Sequence, residues 1–173
     1  MTRFRLIAVA ALALILSGCG FHLRNKIALP ADLGPVRVVS SGPYSKLATS
    51  LSRGLQAAGA TPAPEDSKED VATLQVLSER WGDLPISIDS HGRSQEYSLR
   101  YAVVFVFRKA DGTDLVPQQV VEMSRDYVSP PENATGTSTE REVLANELRQ
   151  EMASSILRRI DGVMRAGQVV KTE

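Results

Sequence analysis

Few side chains in this chain are of a type that makes or breaks bonds, and their spacing offers little cooperation. Its 173 residues hold one cysteine, Cys19, and two histidines, His22 and His91. A lone thiol closes no intrachain disulfide and completes no common zinc cluster. His22 lies near the chain start in a stretch without periodicity, where no rigid pocket orients it. His91 has Asp89 close by, but no His-x-x-x-His or glutamate partner at metal spacing. No Gly-x-Ser-x-Gly elbow, no Ser-x-x-Lys pair and no glycine-rich phosphate loop occurs. Acids such as Asp66 and Glu69 fall in a charged loop and read as solvated surface. A hydrolase built on two carboxylates distant in sequence stays open as an alternative. No catalytic residue, metal ligand or cofactor is assigned, and the expectation is a non-enzyme.

The position of Cys19 gives it a different chemistry. Met1 to Arg5 carry two positive charges and no acid, and Leu6 to Leu16 form an unbroken apolar run of eleven residues. A membrane-spanning helix needs about 20. A basic start, a short apolar middle and a small-residue exit make a secretory signal peptide. Its exit, Leu16-Ser17-Gly18-Cys19, resembles the bacterial lipobox. That motif implies cleavage before the cysteine, an S-linked diacylglycerol on its thiol and an acyl group on its new amine. Two or more acyl chains give durable attachment, each buried methylene contributing about 0.8 kcal/mol. Gly20 replaces the aspartate that would signal inner-membrane retention, so the expected location is the periplasmic side of the outer membrane, with Cys19 as the anchor.

Removing residues 1–18 lowers the balance from 20 basic against 20 acidic residues to 18 against 20, a net charge of −2. The remainder is one domain's worth of chain. It is not basic enough for generic nucleic-acid binding, and no repeat of solenoid period occurs. The cations Arg93, Arg100, Arg108, Lys109, Arg158 and Arg159 are scattered and read mostly as solvated charge. Arg93 has the best functional case, because a loop can present its guanidinium to a phosphate for bidentate contact.

These side chains need a scaffold, and hydrophobic periodicity supplies its outline. Residues 20–35 read as a tether. Val36–Ser40 is a strand, ended by Ser41-Gly42-Pro43, with Pro43 placed as a first helical residue. Leu47, Ala48, Leu51, Leu55 and Ala58 form one helical stripe ending at Gly59. Thr61–Asp70 reads as a loop, Val71–Trp81 as a strand and Gly82–Arg93 as a loop with possible strand-like edges. Tyr97, Leu99, Tyr101, Val103, Phe105 and Phe107 share one face of the strongest strand. Asp111-Gly112 turns it into an antiparallel partner over Val120–Tyr127. Thr139-x-x-Glu142 fits a capping box, opening a long helix to about Ala166. Its buried stripe is Leu144, Leu148, Met152, Ile156, Ile160 and Met164, widened by Val143 and Val163. The expected fold class is α+β: a two-layer sandwich, an about four-stranded, mostly antiparallel sheet with two helices packed on one face.

The opening Cys19-Gly20-Phe21-His22-Leu23-Arg24 resembles that of the LPS-assembly lipoprotein LptE family. The resemblance continues in Leu51-Ser52-Arg53-Gly54-Leu55-Gln56, in Gln95-Glu96-Tyr97-Ser98-Leu99 and in Ile156-Leu157-Arg158-Arg159-Ile160. It implies residues 1–18 as signal peptide, 19–35 as lipidated tether, 36–167 as one LptE-like domain and 168–173 as a tail. It also implies a component of lipopolysaccharide export that plugs the LptD β-barrel, assists its assembly and binds lipopolysaccharide. Glu96, Ser98, Arg100, Glu122, Ser124 and Asp126 would then meet a polar barrel interior. Family members carry basic residues before the main hairpin and before the last helix. Arg93 answers to the first; Pro130–Thr139 holds no lysine or arginine, and Arg141 lies just beyond it. Arg93 and Arg141 are the expected lipopolysaccharide contacts. A free-standing lipid carrier is a weaker alternative and requires a closed apolar cavity.

Overall fold

The computed structural model describes residues 27, 29–30, 33–67, 69–88, 90, 92–129 and 134–169. Six elements follow one another: β1 (Val36–Ser40), α1 (Lys46–Ala57), β2 (Ala72–Ile88), β3 (Ser94–Arg108), β4 (Asp114–Val128) and α2 (Ala134–Val169). The strands lie in the order β1-β2-β3-β4. β1 runs parallel to β2 through the α1 crossover, and the other pairs are antiparallel. Leu47, Leu51 and Leu55 of α1 share one core with Leu148, Met152, Ile156 and Ile160 of α2. Both helices therefore cover the same sheet face, as the α+β, two-layer expectation requires.

The alternation along β3 holds. Leu99, Tyr101, Val103, Phe105 and Phe107 are all inaccessible to solvent, and each such side chain contributes about 1.5–3 kcal/mol by leaving water. The turn after β3 is fixed by Asp111, whose Oδ1 accepts from Thr113 N at 2.8 Å and Thr113 Oγ1 at 2.7 Å. Gly112 beside it takes φ 84, a left-handed conformation in which a side chain would be strained.

Several boundaries differ from the sequence reading. β2 does not stop at Trp81 but runs through Gly82 and Pro85 to Ile88. β1 ends opposite Val76, so the rest of β2 has only β3 beside it. A proline is tolerated on such an edge because an amide is needed on one side only. Register shifts bracket Leu77 and Ile86, placing an extra residue of β2 at each. The first explains how adjacent Val76 and Leu77 fit one strand. β4 starts at Asp114 rather than Val120, and Pro117 falls within the shift between Phe107↔Val116 and Phe105↔Gln119.

α1 begins after Ser45, whose side chain caps Ala48 N at 3.1 Å, so Pro43 belongs to the preceding turn. α2 starts at Ala134, before the expected Thr139 cap, and runs through Gly162 to Val169. Thr and Ser cost a helix less than about 0.7 kcal/mol each. Once the following turns are anchored, extending the helix backwards is cheap. Val143 is 52% exposed and does not widen the buried stripe; Ala145 and Ala153 do.

Two substitutions test this packing. Leu148→Asp places an unpaired charge in the core and should cost about 3 kcal/mol or more, lowering the melting temperature by roughly 10 °C. An unchanged melting temperature means that the buried stripe is wrong. Gly54 meets α2 so closely that an added Cβ would lie 2.3 Å from Leu157 Cδ1. Leu157 is half-buried and can turn its terminus aside, so Gly54→Ala should stabilise less in the wild-type background than in Leu157→Ala, where the helix-propensity gain of about 1 kcal/mol acts alone. Additive effects of the two changes would contradict the contact.

Candidate functional site

Past the end of β1, the helix-facing side of β2 turns polar. Glu79 accepts from Ser45 Oγ at 2.5 Å, Tyr101 Oη at 2.7 Å and Ser40 Oγ at 3.2 Å. One carboxylate thus ties together β1, the cap of α1, β2 and β3. Burial, reinforced by the bond to Glu79, holds the Tyr101 phenol neutral well above its ordinary range. Trp81 stacks on Tyr101 with centroids 3.8 Å apart. The Arg149 guanidinium of α2 lies 4.9 Å over the Trp81 ring, a cation–π contact that fastens the helix to the strand.

The next layer outward is built on Asp83. Arg141 of α2 donates to both its oxygens, Nε at 2.9 Å and Nη2 at 2.8 Å, and Tyr127 Oη donates at 3.1 Å. Tyr97 and Tyr127 stack at 5.6 Å, and Arg125 of β4 reaches Glu151 of α2 at 2.5 Å. The bond from Arg141 is the main cause that holds the Asp83 carboxyl below its ordinary pKa; partial burial opposes it and the Tyr127 bond assists.

These acids do not form a hydrolytic pair. Glu79 and Asp83 are four residues apart on one strand, roughly 13 Å, wider than the about 5–9.5 Å that glycosidic hydrolysis uses. Each is also occupied by donors from its own fold. Among the described residues no group of three His, Cys, Asp or Glu is placed to hold a metal ion.

Cys19, His22 and His91 lie outside the described residues. Arg93 is exposed, one residue before β3. Arg141 sits within α2, not in a loop, and its guanidinium is held by Asp83. Asp83 pairs with Leu99, so roughly 20 Å of strand separates the two arginines. They share an end of the sheet but do not converge.

The strand faces away from the helices carry Glu96, Ser98, Arg100, Glu122, Ser124 and Asp126 as expected. Arg100 and Glu122 pair across strands at 3.6 Å, and Ser98 is buried. That side is less polar than the sequence suggested. Val120, Val128, Leu84 and Ile88 are exposed large apolar residues, paired in register with Val104, Glu96, Ser98 and Ser94. Leu84, Ile86 and Ile88 were missed with the distal half of β2. Their spacing of two was the available signal, masked by Gly82 and Pro85.

The Asp83 clamp makes stability depend on acid. Because its folded pKa is depressed, its contribution is complete above the unfolded carboxylate value and is lost as pH falls through the folded value. Asp83→Asn should lower the melting temperature modestly at pH 7, by the equivalent of about 0.2–1 kcal/mol for a half-exposed pair. The gap between wild type and variant should close as pH drops below about 4. A gap independent of pH would contradict the clamp.

Comparison with known proteins agrees with this architecture. A family described as "LptE: Lipopolysaccharide-assembly" matches residues 33–160, which take in all of β1 to β4 and most of α2. The LPS-assembly lipoprotein LptE of Yersinia pestis (strain Pestoides F) is 30% identical over 149 residues, covering 85% of this chain and 70% of that protein. The rare lipoprotein B from Shewanella oneidensis superimposes with a TM-score of 0.63 at 24% identity, covering 81% of this chain and 100% of the other. An uncharacterized lipoprotein B from Nitrosomonas europaea gives a TM-score of 0.65 at 22% identity, over 86% and 94% of the two chains. Those two solved structures share the fold; the sequence matches carry the kinship, and on them the chain belongs to the lipopolysaccharide-assembly LptE family.

Proposed function

We propose that this protein is an outer-membrane lipoprotein that plugs the LptD β-barrel, assists its assembly and contacts lipopolysaccharide during export. The single observation that carries this reading is the open side of a tall sheet. Strands β2, β3 and β4 extend about 50 Å at roughly 3.3 Å per residue, and helices cover only one face. The chain enters at Val36, which pairs with the first residue of β2, so tether and hairpin tip lie at opposite ends. A bilayer with its headgroups is about 40–45 Å thick, a span that such a body matches inside a barrel wall. The open side, with Arg100, Glu122, Ser124 and Asp126, suits the polar lumen of a large barrel.

The tip supports lipopolysaccharide contact by its chemistry. Arg93 offers a phosphate ligand, and exposed Ile88, which pairs with the adjacent Ser94, suits an acyl chain. Arg141 contributes from a guanidinium that Asp83 orients. Glu79 and Asp83, both occupied by hydrogen bonds, favour a binding role over a hydrolytic one.

Gentle solubilisation of outer membranes should recover the protein at equal stoichiometry with one large β-barrel protein. Recovery as a free monomer contradicts the plug. Cys19→Ala should accumulate as an uncleaved precursor without acyl chains, seen by its intact mass. A processed, acylated product from that variant would remove the anchor assignment.

A further inference from the structure

β1 is the outermost strand on its side of the sheet, and among the described residues its free edge is covered only at the start. Val36 N donates to Thr61 O at 2.8 Å, and Val36 O accepts from Ala63 N at 3.0 Å. Arg37 pins that covering loop by donating to the carbonyls of Pro64 at 2.7 Å, Glu65 at 3.3 Å and Ser67 at 2.6 Å. The amide and carbonyl of Val36 thus point away from β2. In a parallel pair the direction alternates by residue, and Ser41 N turns back to Val76 O at 3.3 Å as that alternation requires. The amides and carbonyls of Val38 and Ser40 therefore face outward. Among the described residues no loop backbone pairs with them there.

Helix α1 flanks this edge. Strand and helix enclose an open groove of about 670 Å³, with Val38 and Ser40 on one wall and Ala48, Thr49 and Ser52 on the other. Tyr44 lines it while remaining 94% exposed. Exposed Lys46 and Arg53 also line it; among the described lining residues none is acidic, and Glu79 behind Ser40 and Ser45 is occupied by their hydroxyls.

We propose that this groove binds an extended acidic segment of a partner polypeptide, which adds to β1 as a fifth strand. Its backbone pairs with Val38 and Ser40, its carboxylates meet Lys46 and Arg53, and an apolar side chain packs on Tyr44. Strand addition supplies affinity through main-chain bonds and selectivity through alternate side chains; here the cationic lining selects for acid. The open stretch from Val38 to Ser40 is roughly 10 Å long, enough for one short segment. This surface lies on the edge opposite β4, so it goes beyond the barrel-plug reading and does not depend on it.

The test uses the full chain in detergent and a short blocked peptide of alternating glutamate and valine. Hydrogen exchange should slow at the Val38 and Ser40 amides when the peptide is added. The same peptide methylated on alternate backbone nitrogens should leave them unprotected, and a lysine-for-glutamate version should bind weakly. Lys46→Glu with Arg53→Glu should weaken the acidic peptide about tenfold, near 1.4 kcal/mol, and Tyr44→Ala should also weaken it, both at unchanged melting temperature. Equal binding of the acidic, basic and methylated peptides overturns the proposal, as does binding that leaves those two amides unprotected. Protection that rises with protein concentration and without peptide also overturns it, because the occupant is then a second copy. None of these outcomes bears on co-purification with a barrel.

Discussion

From Leu77 to Ile88, β2 has no parallel neighbour, and beyond Glu79, which still reaches the cap of α1, the side chains that meet the sheet come from α2. Apolar packing thins along this stretch. The helix-facing positions change from Leu74 and Val76 to Glu79, Trp81 and Asp83. Directional contacts replace greasy ones: the Arg149–Trp81–Tyr101 stack, then the Arg141–Asp83–Tyr127 clamp. Such a network is strong while every member is satisfied and weak once one is removed, because a desolvated polar partner is left behind. The position of α2 over distal β2 depends on these layers.

The same asymmetry decides what the surface offers. A sheet covered on one face only, with β1 and β4 as free edges, invites partners at three places. Edges of this kind risk indiscriminate strand pairing. Pro117 in β4 and Pro85 in distal β2 each remove a donor, and the loop at Pro62 covers the start of β1. The open part of β1, beside α1 and its basic residues, has no such proline. Protection is therefore selective.

Where burial is one-sided and long, the sequence announced it. The odd positions of β3 and the four-residue stripe of α2 needed nothing beyond periodicity, because every turn or pleat repeats the same environment. Distal β2 was obscure for a physical reason: Gly82 and Pro85 break strands in general, and only the absence of a neighbour makes them harmless here. The start of α2 was misplaced because Thr139 and Glu142 form a plausible cap that an anchored helix simply runs through. The partnership of Arg141 with Asp83 spans 58 residues, and no local pattern encodes it. A loop-borne cation and a clamped one look alike in sequence. Tyr44 is plain in the sequence as an aromatic residue, but only the fold shows it 94% exposed.

In the proposed plug, the helix-free sheet side lies against a barrel wall. A photo-reactive amino acid at Ser124, on that side, in intact cells tests it most directly. One dominant cross-link to a large outer-membrane β-barrel protein is expected. A residue that stays uncross-linked, or that captures only soluble periplasmic proteins, would contradict it.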